Sequence, residues 1–182
     1  MSLRIKALES MLLVVDIQQK LAPEMYNGEA AIEANYKLLQ TVQQLGVPYM
    51  VTEQYPNGIG KTVEVLSPLI NPVHVVEKMS FSSIAEDDIA AAIKEKGRNQ
   101  VVVTGMETHV CVLQTVLDLI DAGYQVYVVE DCVASRTADN KRLGLERMRQ
   151  CGAQIVSSEM VMFEWLGRGG TDDFKAILPL IK

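Results

Sequence analysis

Apolar residues along this chain gather in short unbroken runs with amphipathic stretches between them. Met11-Leu12-Leu13-Val14-Val15, Val47-Pro48-Tyr49-Met50-Val51, Val73-His74-Val75-Val76, Val101-Val102-Val103 and Val126-Tyr127-Val128-Val129 are such runs, and Gln154-Ile155-Val156 is a weaker one. A strand shielded on both faces needs no polar side, so runs of this kind predict the strands of a parallel sheet. The stretches between them carry helical spacing. Ile32, Tyr36, Leu39 and Val42 mark out a helix over 30–45, and Gly46 followed by Pro48 stops it. Further helices are expected over 86–96, 110–122, 141–150 and 171–180, with Gly97, Gly123 and Gly152 just past three of them. Strands alternating with helices predict an α/β fold: a three-layer, Rossmann-like open sheet of about six parallel strands, with helices on both faces. No linker, repeat or low-complexity segment interrupts 1–182, which reads as a single domain. The irregular piece over 53–72 is rich in Pro, Gly and Asn, and loops of that length inside a compact domain tend to carry function.

Composition narrows the class. A chain of 182 residues, 48% hydrophobic and 22% charged, fills one core and is not a disordered segment. A net charge of −6 without a basic run makes nucleic acid and anionic membranes poor partners. The run Met11 to Val15 is too short for a leader segment or a membrane span. The three cysteines, Cys111, Cys132 and Cys151, contain no CxxC and form no disulfide framework, so a cytoplasmic location is expected.

In open parallel sheets, ligands bind beyond the carboxyl ends of the strands, so the informative side chains are those that follow a strand. Asp16 ends the first run; alone, it reads equally as a helix cap or a loop hydrogen-bonder. Lys78 follows the third run; alone, a solvated lysine is the commoner reading. Cys111 follows the fourth through Gly105-Met106-Glu107-Thr108-His109-Val110. A helix is expected to begin near His109 with Thr108 as its N-cap. A thiol in that first turn meets the positive end of the helix dipole, which favours thiolate; the alternative is a buried packing cysteine. Together the three make a carboxylate, an ammonium and an activated thiol at one sheet edge, a nucleophile that needs no histidine. The other thiols are weaker candidates. Cys132 follows Glu130-Asp131, whose charge disfavours thiolate, and Cys151 sits at a helix end. Gly58-Ile59-Gly60-Lys61-Thr62 matches only the tail of a phosphate-binding loop, since Tyr55 stands where that motif needs glycine; no GxGxxG follows the first strand either.

Four segments, LLVVDIQ (Leu12 to Gln18), VEKMSFS (Val76 to Ser82), VVVTGMETHVCV (Val101 to Val112) and VYVVEDCVASR (Val126 to Arg136), resemble in order the isochorismatase-like cysteine hydrolases. TEQYPNGIGKT (Thr52 to Thr62) resembles the branch called isochorismatase-domain proteins. The resemblance implies a catalytic triad of Asp16, Lys78 and Cys111. It also implies a cis peptide between Met106 and Glu107 that aims the backbone N–H groups of Glu107 and Cys111 into an oxyanion hole. Asp16 would take the thiol proton, Cys111 would attack an amide-like carbon, and a thioester-type intermediate would be hydrolysed. Nicotinamidases of the family hold a metal with an Asp and several His. This chain has only His74 and His109 and none over 53–72, so neither metal nor cofactor is expected. Relatives that cleave the vinyl ether of isochorismate do not need the cysteine, so Cys111 favours C–N hydrolysis over that alternative.

Glu107 stands where many relatives carry smaller residues; it would either raise the thiol pKa or turn away and pair elsewhere. His109 reads as a helix-end surface residue and His74 as packed within the third strand. Tyr55, Met79, Phe81 and Trp165 are the expected pocket walls, with a dimer interface as the alternative for Trp165. The expected partners are a small-molecule substrate and further copies of the chain, as a dimer or higher. Two non-hydrolytic readings remain: a binding protein that keeps the fold, and a redox sensor, which lacks an evident resolving cysteine. On the hydrolase reading Cys111 is expected to alkylate below pH 8, faster than the other two thiols.

Overall fold

The computed structural model describes residues 3–182. Its strands are β1 (Ser10–Val15), β2 (Tyr49–Gln54), β3 (Val75–Lys78), β4 (Gln100–Met106), β5 (Gln125–Ala134) and β6 (Gln154–Val156). Its helices are α1 (Gly28–Leu45), a short α2 (Pro56–Ile59), α3 (Asp87–Glu95), α4 (Leu113–Asp121), α5 (Ala138–Gln150), α6 (Ser158–Leu166) and α7 (Asp172–Ile181). All six strands are parallel, in the order β3-β2-β1-β4-β5-β6. The expected three-layer α/β architecture is therefore present. Alternation along the strands divides the core in two. Leu12, Val14 and Val102 meet α1, α6 and α7, whereas Met11, Leu13 and Val103 meet α3, α4 and α5. Every residue of β1 is buried, which is why that run carries no polar alternation.

The order has a chemical consequence. From β1 the chain builds outward through β2 and β3, then returns to place β4 on the other side of β1. Such a reversal opens a crevice above the carboxyl ends of the two central strands. Asp16 immediately follows β1 and the segment leading to Cys111 follows β4, so both stand at this crevice.

Several expectations are corrected. β3 begins at Val75, so His74 lies not within a strand but in the preceding turn, with its ring edge-on to Tyr49 at 4.6 Å. β5 runs on to Ala134, so Cys132 lies inside a strand and is buried in the core rather than following the strand. Burial is the first cause that raises the Cys132 pKa, with the Asp131 charge second. α5 starts earlier than expected because Thr137 caps it, accepting a hydrogen bond from Asn140 N at 3.1 Å. α6 escaped the pattern. Its apolar residues point both ways, Val161, Met162 and Trp165 into the core and Met160 and Phe163 outward, so no single apolar face marks it as a helix.

Candidate active site

Asp16 is fully buried and takes a left-handed conformation with φ 51°. That conformation is uncommon for a residue with a Cβ and turns the chain sharply off the end of β1. Two neighbours on the β3 side orient its carboxylate. Thr52 Oγ1 donates to Oδ1 at 2.7 Å, and Lys78 Nζ forms an ion pair with Oδ2 at 2.7 Å. Beyond that ion pair Oδ2 has no hydrogen-bond partner. Both side chains of the pair are fully buried. An isolated charge at such a depth would cost several kcal/mol, so each ion depends on the other.

Lys78 is surrounded by acceptors. Besides Asp16, its Nζ donates to Gln54 Oε1 at 2.8 Å and to the carbonyls of Ser80 and Phe81, each at 3.0 Å. An ammonium has three protons, and all are committed to these acceptors. Its influence on anything entering the site is therefore the field of a fixed positive charge.

Cys111 faces this pair from across the crevice. The Met106–Glu107 peptide is cis, and a π-helical turn (Thr108–Val112) then carries the cysteine into α4. The turn is closed by Glu107 O, which accepts from Val110 N at 3.1 Å and Val112 N at 3.2 Å. Thr108 is not the N-cap that was expected; its Oγ1 makes no hydrogen bond. Two close approaches fix the turn in space. A Cβ on Gly105, which has φ +120°, would lie 1.9 Å from Val15 O, so the chain leaves β4 flat against the end of β1. From α5, a Cβ on Gly144 would stand 3.1 Å from both His109 Cα and Thr108 O.

The thiol does not behave as its place at a helix start suggests. Burial pushes the Cys111 pKa up from 9.0 to about 12, the Asp16 carboxylate adds to the rise, and Lys78 offsets part of it. The turn sinks the sulfur beside a carboxylate rather than presenting it to solvent, and this outweighs the helix dipole. The resting group is thus a neutral thiol with a base against it. Near neutral pH the thiolate fraction is therefore well below that of an ordinary cysteine. Iodoacetamide is therefore expected to label the exposed Cys151 first at pH 7–8. Cys111 labelling should rise only as the pH climbs past 10. Peptide mass spectrometry across a pH series checks this, and rapid labelling of Cys111 at pH 7 would contradict it.

Glu107 turns away from the thiol. Its Oε2 accepts from Arg136 N at 3.2 Å and Arg136 Nε at 3.0 Å. His109 is half-buried rather than a surface residue; its Nδ1 lies 3.0 Å from Ser135 Oγ and 4.0 Å from Glu107 Oε2. This network ties the cysteine turn to the end of β5.

The expected pocket walls divide. Tyr55 and Met79 line a cleft of about 330 Å³ beside Lys78, with Asn57 and Glu86. Phe81 is exposed and reaches the site through its carbonyl. Trp165 is the correction. It is buried among the α1, α6 and α7 contacts, on the sheet face opposite Cys111. Its neighbour Glu164 accepts from Ile5 N at 2.6 Å, at the far ends of the strands. A separate cavity of about 350 Å³, lined by Glu53, Lys61 and Thr62 among others, includes none of Asp16, Lys78 and Cys111.

Sequence reasoning passed over Thr52, Gln54 and Gln18. Thr52 and Gln54 are alternate residues of β2 and so project to one face, directly between Asp16 and Lys78. The available signal was two polar residues at that spacing where an apolar run ends.

The family model described as "Isochorismatase domain" matches residues 10–160. A secreted isochorismatase effector of Phytophthora sojae is 38% identical over 177 residues, covering 95% of this chain and 84% of that protein. Isochorismatase family protein 1B of Dictyostelium discoideum is 34% identical over 178 residues, covering 95% of this chain and 86% of its own. Among solved structures, one described as MAR1 ribonuclease from Caenorhabditis elegans superimposes with a TM-score of 0.91 at 33% identity, over 98% of this chain and 92% of that one.

Proposed function

Because this chain belongs to the isochorismatase domain family of hydrolases, we propose that it is a cysteine hydrolase of a C–N bond in a small amide-like substrate, with Asp16, Lys78 and Cys111 as its catalytic residues. The observation that carries this reading is the meeting of a buried carboxylate, the ammonium ion-paired with it and a neutral thiol at the crevice between β1 and β4.

Asp16 Oδ2 takes the thiol proton as Sγ attacks the carbonyl carbon, so free thiolate need not accumulate. The carbonyl π electrons move to oxygen, where the backbone N–H groups of Glu107 and Cys111 receive the charge. The C–N bond then breaks, Asp16 returns the proton to the departing nitrogen, and a thioester remains on Cys111. Asp16 next deprotonates a water that attacks the thioester carbon; the C–S bond breaks, the acid leaves, and Asp16 returns the proton to Sγ to restore the thiol. Lys78 stays ion-paired with Asp16 and lowers the cost of negative charge on sulfur. No step draws on a metal or cofactor, so turnover is expected to survive EDTA.

The reading extends to the setting of the enzyme: one domain over the whole chain, a cytoplasmic location and assembly into a homo-oligomer. No helix among the described residues is long and apolar enough to cross a membrane.

The test is a panel of small amides, ureas and carbamoyl compounds, quenched in acid during turnover and weighed as intact protein. The expected result is a mass increase equal to the acyl group, mapped to Cys111. Turnover with no adduct at any quench time, together with full activity in Cys111→Ala, would remove the cysteine mechanism. Isochorismate and RNA belong in the panel as other-class substrates, the second because a solved relative is described as a ribonuclease.

A further inference from the structure

Lys78 is held from three sides. Asp16 reaches it from the end of β1, the Ser80 and Phe81 carbonyls from the loop after β3, and Gln54 from the end of β2. Gln54 is the only neutral side chain of the set, and its orientation is fixed. Its Nε2 donates to Met79 O at 2.7 Å, so Oε1 must face the ammonium. Its backbone is fixed as well. The fully buried Gln18 grips it with both ends of one amide: Gln54 N donates to Gln18 Oε1 at 2.7 Å, and Gln18 Nε2 donates to Gln54 O at 2.9 Å. The same Nε2 reaches Gly60 O at 2.6 Å and so also closes the loop after α2. One glutamine thus sets the backbone of another, whose side chain sets the lysine.

We propose that Gln54 is a positioning residue for the reaction, holding the Lys78 ammonium in register with Asp16 and Cys111. Two features support this over a merely structural role. Lys78 has more acceptors than protons, so Gln54 is not needed to satisfy it; losing Gln54 leaves Asp16, Ser80 O and Phe81 O. What Gln54 adds is a pull from the β2 side against the two loop carbonyls. Thr52, two residues earlier on the same face, does the matching task for the carboxylate through Asp16 Oδ1. β2 therefore orients both members of the ion pair that lies across it.

The proposal rests on reading Asp16, Lys78 and Cys111 as the reacting groups, so its test uses a probe that needs no turnover. The titratable groups facing Lys78 are Asp16 from β1, the neutral Cys111 thiol from the turn after β4, and Glu86. Glu86 Oε1 holds the 79–80 loop by accepting from Met79 N at 3.1 Å and Ser80 N at 2.8 Å. Lys78 favours the Cys111 thiolate, so a displaced ammonium slows alkylation. At pH 10, iodoacetamide labelling of Cys111 is expected to fall about tenfold in Gln54→Leu, with Cys151 labelling unchanged as the internal standard.

The deciding measurement is a double-mutant cycle. In an Asp16→Asn/Lys78→Met background, Gln54→Leu is expected to have no further effect on Cys111 labelling, because the group it acts through is gone. Equal effects in both backgrounds, or wild-type labelling in Gln54→Leu, would overturn the proposal. If Gln54→Leu does not fold, Gln54→Asn carries the same cycle, since it is polar but too short to reach Nζ. On a substrate found with the amide panel, either variant should lower kcat while leaving KM within about twofold. An absent acyl adduct with an intact cycle would count against the hydrolase reading alone; an additive cycle with an adduct present would count against Gln54 alone.

Discussion

Replacing Cys111 by Ala is expected to lower kcat on any substrate of this protein by at least about 10³-fold, and Asp16→Asn by a comparable factor. The double variant should lose little more than either single one, because a base without its nucleophile has nothing to activate. This non-additivity separates one reacting unit from two groups that merely share a pocket. It also follows from the state of the thiol. A cysteine whose pKa is pushed up to about 12 contributes little without a base, and among the described residues the carboxylate that acts on it is Asp16. An Asp16→Asn variant that kept most of its activity would mean that the thiol loses its proton by another route. Steady-state rates of the three variants on one amide, with circular dichroism to confirm folding, decide the matter.

Lys78→Met should act on stability as strongly as on rate. Asp16 and Lys78 side chains are both fully buried, so removing the ammonium leaves a carboxylate with Thr52 Oγ1 as its remaining hydrogen-bond donor. Breaking such a pair from one side costs about 3–5 kcal/mol. In a domain of this size that lowers Tm by roughly 6–20 °C. Asp16→Asn/Lys78→Met removes both charges and should recover at least about 2 kcal/mol relative to Lys78→Met, because no uncompensated ion remains. Thermal denaturation of the single and double variants checks this. A double variant no more stable than Lys78→Met would show that the carboxylate left without its ammonium is not what costs the stability, and that the loss lies in the stranded acceptors Gln54 Oε1 and the two loop carbonyls.

Much of this arrangement was legible along the chain. Unbroken apolar runs mark strands because a strand shielded on both faces has no solvent side to record, and the runs at Met11 to Val15 and Val101 to Val103 became the two central strands. A polar residue directly after such a run has left the sheet at its carboxyl end. That logic placed Asp16 and the cysteine segment at the crevice and singled out Lys78, although Lys78 is the last residue of β3 rather than the first beyond it. Even Gly105 was visible as a glycine in the right motif, though not the reason for it: its missing Cβ lets β4 leave flat against Val15 O.

Local patterning could not supply what depends on non-local partners. Strand order is not written in any single run, so the reversal that puts Asp16 and Cys111 at one crevice appears only when β4 crosses to the far side of β1. The thiol pKa took the opposite direction from the helix-start argument, because burial and a carboxylate 95 residues earlier in the chain outweigh a dipole that is local to the turn. Trp165 looked like a pocket wall until α6 carried it to the opposite sheet face, and Glu107 found its partner in Arg136, 29 residues away. Gln18 and Gln54 were ordinary polar residues until packing set one amide against the other's backbone. Periodicity reports which side of an element is dry, and so the chain alone could specify the layers and the carboxyl-end candidates. Charge state, orientation and partnership depend on distances between segments remote in sequence, and those exist only once the sheet is assembled.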